Sequence, residues 1–234
     1  MPDWINSRHS PLLIMKSYHP LFTLLGAALL LFSACKDTKN SHQKETDAIN
    51  YLHDISAFTT DSLVQVVIEV PAGTNQKWEL NKETGQIEWE QLAPDSMRII
   101  DYLAYPANYG FVPQTLLSKD AGGDGDPVDV FVLGPSIVRE QVVKVRIIGI
   151  IHMLDAHESD SKLLAVDLNN PGFDVISFEM LQNNYPGAVD ILRIWLLNYK
   201  GKSGIEIISV NDEKDAFHYL KSANDAYIDQ QLQK

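Results

Sequence analysis

Asp124-Gly125-Asp126-Pro127-Val128-Asp129-Val130-Phe131-Val132-Leu133 runs three carboxylates directly into an apolar segment. Carboxylates this close repel one another, so a folded chain keeps them together only where something positive shares the site. A hard divalent cation with oxygen ligands meets that need. In an extended segment alternate side chains point the same way, so Asp124 and Asp126 share a direction. The turn at Pro127 then brings Asp129 round to join them.

Working outward, the same Val- and Ile-rich composition recurs in short segments. Residues 63–70, closed by Pro71, read as a strand, and so do 128–133, 142–151, 163–166 and 205–209. Residues 77–80 and 86–89 flank Thr84-Gly85 as a hairpin. Helices are expected at 186–199, which opens on Pro186 and stops before Gly201, and at 212–231. In the second, Asn211 is the expected N-cap, and Ala216, Leu220, Ala223 and Tyr227 share one face. Many short strands followed by helices predict an α+β, mainly β fold, a small β-barrel with helices packed outside it.

The chain has 234 residues, 45% hydrophobic and 21% charged, with a formal net charge of −12. That size and balance fit one globular domain with additions, and the missing basic footprint excludes a nucleic-acid partner. The N-terminus stands apart. Residues 21–32 are almost uninterrupted apolar sequence, too short to span a bilayer comfortably, and they lead through Ser33-Ala34 to Cys35, the only cysteine. With Lys16 just after Met15, this pattern resembles a bacterial lipoprotein signal. The expectation is a signal peptide over 1–34 whose true start is Met15, lipidation of Cys35, a polar tether to residue 58, and a folded domain over 59–234. It places the protein in the cell envelope on a lipid anchor, its only contact with a membrane; a start downstream of Cys35 would leave it cytoplasmic.

The acidic hexapeptide 124–129 does not stand alone. Val67-Ile68-Glu69-Val70-Pro71, Lys77-Trp78-Glu79, Tyr105-Pro106-Ala107-Asn108-Tyr109-Gly110, Asp155 with Asp160-Ser161-Lys162, and Tyr199-Lys200 follow a recognisable order and spacing. Together these segments resemble the family I soluble inorganic pyrophosphatases, from about residue 63 to residue 200. The resemblance implies a five-stranded OB-like barrel with peripheral helices. It implies hydrolysis of pyrophosphate to two orthophosphates with several Mg2+ ions, with Mn2+ or Zn2+ as substitutes, and commonly a homo-oligomer. By the same resemblance Asp124, Asp129, Asp155, Asp160 and Glu69 would hold metal. Asp126 would take the proton of the attacking water, and Glu79 would join the hydrogen bonds around it. Lys77, Arg98, Tyr109, Lys162, Tyr199 and Lys200 would hold the phosphates. Arg98 stands slightly closer to Tyr105 than the family's arginine does, a difference that a short loop adjustment absorbs.

Such roles suit the chemistry. Pyrophosphate is a dense anion whose cleavage needs charge neutralised on both the transferring and the leaving phosphate. Mg2+ keeps several waters, so scattered aspartates suit it better than a full cage. Lysines act as point charges on phosphate oxygens, and tyrosine hydroxyls donate without adding charge.

Plainer readings compete at each position. A structural Ca2+ loop of the EF-hand type needs Gly where Asp129 stands, so it fails. An Asp-x-Asp phosphatase of the haloacid-dehalogenase type needs an apolar strand before Asp124, where residues 118–123 have loop composition. Two rival functions remain: a broader phosphohydrolase, and a non-catalytic lipoprotein that binds metal or anions. Taken singly, Lys162, Lys200 and Arg98 could be surface charges, and Asp155 and Asp160 loop residues. Tyr105 reads as a packing residue, Leu192 and Trp195 as core, and Lys144 and Arg146 as a solvated face. No metal role is expected for His152 or His157, because imidazole is a poor partner for Mg2+.

Overall fold

The computed structural model describes residues 48–61, 63–170, 172–201 and 204–233. The apolar run 21–32 and Cys35 lie outside the described residues.

Among the described residues the strands are β1 (Val64–Val70), β2 (Trp78–Leu80), β3 (Ile87–Trp89), β4 (Gln91–Ala93), β5 (Ser96–Met97), β6 (Asn108–Phe111), β7 (Asp129–Leu133), β8 (Val142–Asp155), β9 (Glu158–Ser159), β10 (Lys162–Asp167) and β11 (Glu206–Asp212). The helices are α1 (Phe178–Asn184), α2 (Ala188–Asn198) and α3 (Glu213–Leu232), with a short 3-10 turn at Lys119–Ala121. The fold is mainly β with a few helices, as expected. The main sheet runs β1-β6-β7-β10-β8-β11, with β9 on β8 and a further antiparallel pairing between β1 and β8. Small hairpins β2-β3 and β4-β5 stand beside it.

Each pairing follows from local chemistry. In β8, residues 142–147 alternate exposed and buried, which puts Lys144 and Arg146 on the solvated face; beyond them 148–151 are buried throughout. β1 and β6 approach closely because Gly110 has no side chain: a Cβ there would sit 1.9 Å from the Val67 carbonyl oxygen. One apolar layer lies under α3, where Ala216, Leu220 and Ala223 pack on Val66, Ile68 and Ile150. A second packs Leu192, Trp195 and Leu196 of α2 against Phe131, Ile148 and Leu164.

Three boundaries differ from the sequence reading. α3 is capped by Asp212, whose carboxylate accepts from the backbone N–H groups of Lys214 and Asp215. Asn211 does not cap, because its side chain donates instead to Asp215. α2 begins after Gly187, held left-handed at φ 84°, rather than at Pro186. Packing also starts before residue 59: Leu52, Ile55 and Ala57 are buried, and the Gln65 N–H donates to the Ala57 carbonyl.

Candidate active site

Strand register draws the distant segments together across adjacent strands of the main sheet. Val70, beside Glu69, pairs with Tyr109, and Phe111 pairs with Asp129. β7 and β10 run parallel and start level, Asp129 opposite Lys162. Glu69 at the end of β1, Tyr109 on β6, Asp129 on β7 and Lys162 on β10 therefore meet. The loop before β7 is anchored behind them: the Ser159 N–H donates to the Gly122 carbonyl, and the Leu117 N–H to the Asp126 carbonyl.

Burial separates structural from chemical groups. The buried polar or charged side chains among the described residues are Glu69, Asn108, Thr115, Asp160, Ser161 and Lys162. Asn108 is used up by the backbone: its amide donates to the Val132 and Pro135 carbonyls and accepts from the N–H groups of Ala72 and Ile137. Thr115 likewise links Val112 and Val128. Glu69, Asp160 and Lys162, by contrast, are charged groups held out of water at the place where the strands meet.

Their electrostatics follow from that. Burial pushes the Glu69 carboxyl up to about 8, against the opposing pull of Lys77; one oxygen accepts from the Leu80 N–H at 2.7 Å. Burial pushes Asp160 up to about 6 although Lys162 favours its charge. The Lys162 ammonium lies 2.5 Å from Asp129 and also contacts Asp160. Burial works against that ammonium, but the two carboxylates more than offset it and hold its pKa above the usual lysine value. One lysine thus serves two carboxylates, and the deeper of them is left under-compensated. Lys77 lies 3.2 Å from Glu79. Burial opposes its charge too, yet Tyr105, Glu69, Glu79 and Asp129 keep it raised. The Tyr109 hydroxyl is pushed well up by burial and then by Asp129 and Asp160, so it remains a donor.

The other expected residues rim this group. Asp124 accepts from the Asp126 N–H at 2.8 Å, and burial raises its carboxyl. Tyr199 stacks on Trp195 at 4.4 Å, Trp195 lies against Tyr105, and Lys200 pairs with Asp155. Arg98 gives both its short contacts to Glu90, at 2.9 Å each, while its carbonyl accepts from the Lys77 N–H. It therefore stands next to Lys77 but is already engaged. Sequence reasoning missed Lys82, in the β2-β3 turn, whose ammonium reaches Asp126 and the Gly125 carbonyl. Only its place four residues beyond Trp78 in the Lys77-Trp78-Glu79 hairpin could have flagged it.

The donor set suits a hard divalent cation: every acidic ligand candidate is an oxygen donor, and the three carboxyls that burial raises are those a cation would return to the charged form. Among the described residues no group of three or more His, Cys, Asp or Glu side chains forms a ready metal cage.

Comparison with known proteins gives one answer. A family model described as inorganic pyrophosphatase matches residues 66–228. A soluble inorganic pyrophosphatase of Oryza sativa is 34% identical over 179 residues, covering 72% of this chain and 75% of the rice protein. An inorganic pyrophosphatase of Ralstonia nicotianae is 44% identical over 106 residues, 44% of this chain and 54% of that protein. Among solved structures, a type I inorganic pyrophosphatase from Toxoplasma gondii superposes with a TM-score of 0.72 at 26% identity, covering 80% of this chain and 90% of that one. The inorganic pyrophosphatase of Thermus thermophilus gives 0.64 at 25% identity, covering 76% and 99%.

Proposed function

Because this chain belongs to the inorganic pyrophosphatase family, we propose that it hydrolyses pyrophosphate to two orthophosphates, with Mg2+ as its divalent cation. The observation that supports this best is the meeting of Glu69, Asp129, Asp160 and Lys162, buried or half-buried charges from distant parts of the sequence, across neighbouring strands of the sheet.

Asp124, Asp129, Asp155, Asp160 and Glu69 are the residues that would hold the cations. When bound, these ions lower the pKa of the attacking water and neutralise phosphoryl oxygens. Asp126 accepts the water's proton from the loop that Leu117 and Ser159 anchor, and Glu79 and Lys82 border it. Lys77, Lys162, Lys200 and Arg98 hold phosphate oxygens as fixed positive charge. Lys200 and Arg98 would exchange their carboxylate partners for phosphate as substrate enters. Tyr109 and Tyr199 donate hydrogen bonds from an aromatic wall in which Tyr109 meets Phe131 edge-on and Tyr199 stacks on Trp195.

The finer architecture goes with this. The pairings β1-β6-β7-β10-β8 and back to β1 support a five-stranded OB-like barrel. The apolar run 21–32 leading through Ser33-Ala34 to Cys35, with Lys16 before it, supports a lipoprotein signal over residues 1–34, lipid on Cys35 and an envelope location; loss of palmitate labelling in Cys35→Ala tests it. An outward apolar row on α2, Ile191, Ile194 and Leu197, supports a homo-oligomer.

The test of function compares phosphate release from pyrophosphate, ATP and p-nitrophenyl phosphate with Mg2+ present. Pyrophosphate should be strongly preferred. Equal rates on all three would establish the broader phosphohydrolase, and no release from any would overturn catalysis.

A further inference from the structure

Ser161 is the one buried polar side chain that neither the backbone nor the candidate chemistry accounts for. It is 1% exposed and lies between Asp160 and Lys162. Its hydroxyl is 3.1 Å from His152 Nδ1, on the neighbouring strand β8. His152 Nε2 lies 2.7 Å from Asp215 Oδ2, in the first turn of α3. Asn211 Nδ2 donates to that same oxygen at 2.8 Å, and Tyr219 meets the imidazole edge-on at 5.7 Å. An ionised carboxylate only accepts, so Nε2 carries the proton; in the neutral ring Nδ1 then accepts from the Ser161 hydroxyl.

Hydroxyl, imidazole and carboxylate in line are the parts of a nucleophile relay. Here burial rules that out, since no substrate reaches Ser161. The backbone around it gives another use. The Asp160 N–H donates to the Met153 carbonyl at 3.1 Å, and Lys162 pairs with Ile151, so the two strands bracket the His152–Ser161 contact. Side chains alternate along extended backbone, so holding Ser161 on one face sets where Asp160 and Lys162 point on the other.

We propose that Asp215, His152 and Ser161 form a positioning network through which α3 fixes Asp160 for metal and Lys162 for phosphate. This rests on reading Asp160 as a metal ligand. Partners hydrogen-bonded directly to a metal ligand typically contribute about tenfold or more to metal affinity, which sets the scale for a network that acts on Asp160 through the adjoining backbone.

The test measures Mn2+ binding to the full chain by electron paramagnetic resonance, without substrate, beside pyrophosphate turnover. Ser161→Ala and His152→Phe, which keeps a ring against Tyr219, should each weaken Mn2+ binding about tenfold. The double variant should be no weaker than the worse single one, because either change breaks the same chain. Leu220→Ala, in the buried face of α3, controls for loosening of the helix and should leave Mn2+ affinity within twofold at a comparable loss of thermal stability. Single variants that bind as tightly as wild type, fully multiplying effects in the double variant, or equal weakening by Leu220→Ala would each overturn the network. Wild-type protein that neither binds Mn2+ nor cleaves pyrophosphate would remove the premise itself.

Discussion

Replacing Glu69 by Gln should make the metal-free protein more stable at alkaline pH, although it removes a candidate ligand. Glu69 is 4% exposed, and burial lifts its carboxyl from 4.5 to about 8. A carboxyl raised in the folded state contributes stability that is fully present below its unfolded value of 4.5 and is lost as pH rises through about 8. At about 1.4 kcal/mol per pH unit, that window corresponds to an upper bound of about 5 kcal/mol. Gln has no charge to lose, and its carbonyl can still accept from the Leu80 N–H. Urea unfolding with a chelator at pH 4, 7 and 9 reads the difference. Wild type and Glu69→Gln should agree within about 1 kcal/mol at pH 4 and diverge by about 3–5 kcal/mol in favour of the variant at pH 9. Added Mg2+ should stabilise wild type at pH 9 and the variant much less. Parallel stability curves for the two proteins across this range would refute the reasoning, because Glu69 would then ionise as readily in the folded protein as in the unfolded chain.

Lys162→Met should remove the ammonium that Asp129 and Asp160 share and cost about 3–5 kcal/mol. Calorimetry of the metal-free protein near pH 8 should show this as a melting point lower by about 6–20 °C, with a smaller loss below pH 6, where Asp160 is protonated. Its turnover should fall about 100- to 1000-fold. The two-residue turn joining β8 and β9 holds Ala156 at φ 49° and His157 at φ 75°. Both are left-handed positions that Asn-Gly fills with less strain. The double change Ala156→Asn with His157→Gly should add about 1 kcal/mol, seen as a rise of about 2–4 °C in melting point.

Strands rich in Val and Ile were legible in the sequence, β1, β7 and β10 because burial on both faces leaves little else for them to be, β8 because its alternation over 142–147 runs into a stretch buried throughout; all four lie within a residue or a few of their expected ends. β6 was not, since Asn108 and Gly110 are poor strand formers. Asn108 is there to hold four backbone groups, and Gly110 to let β1 come near. α1 also escaped: it is seven residues long, and its Ser177 cap precedes no clear apolar period. Site carboxylates were legible through their motifs, but which of them are buried was not. Local sequence marks Asp160 and Asp155 alike; only the register of β10 against β7 puts Lys162 level with Asp129 and Asp160 beside it. Lys82 and the His152–Asp215 contact were illegible for the same reason, since each pairs residues more than forty positions apart.

In the proposed reaction Asp126 is the group that accepts a proton from water. Steady-state phosphate release from pyrophosphate by wild type and Asp126→Asn, at saturating Mg2+ and matched folded fraction, tests it directly. Loss of the base should lower turnover about 100- to 10,000-fold while pyrophosphate still binds. Near-wild-type turnover by Asp126→Asn would contradict the account.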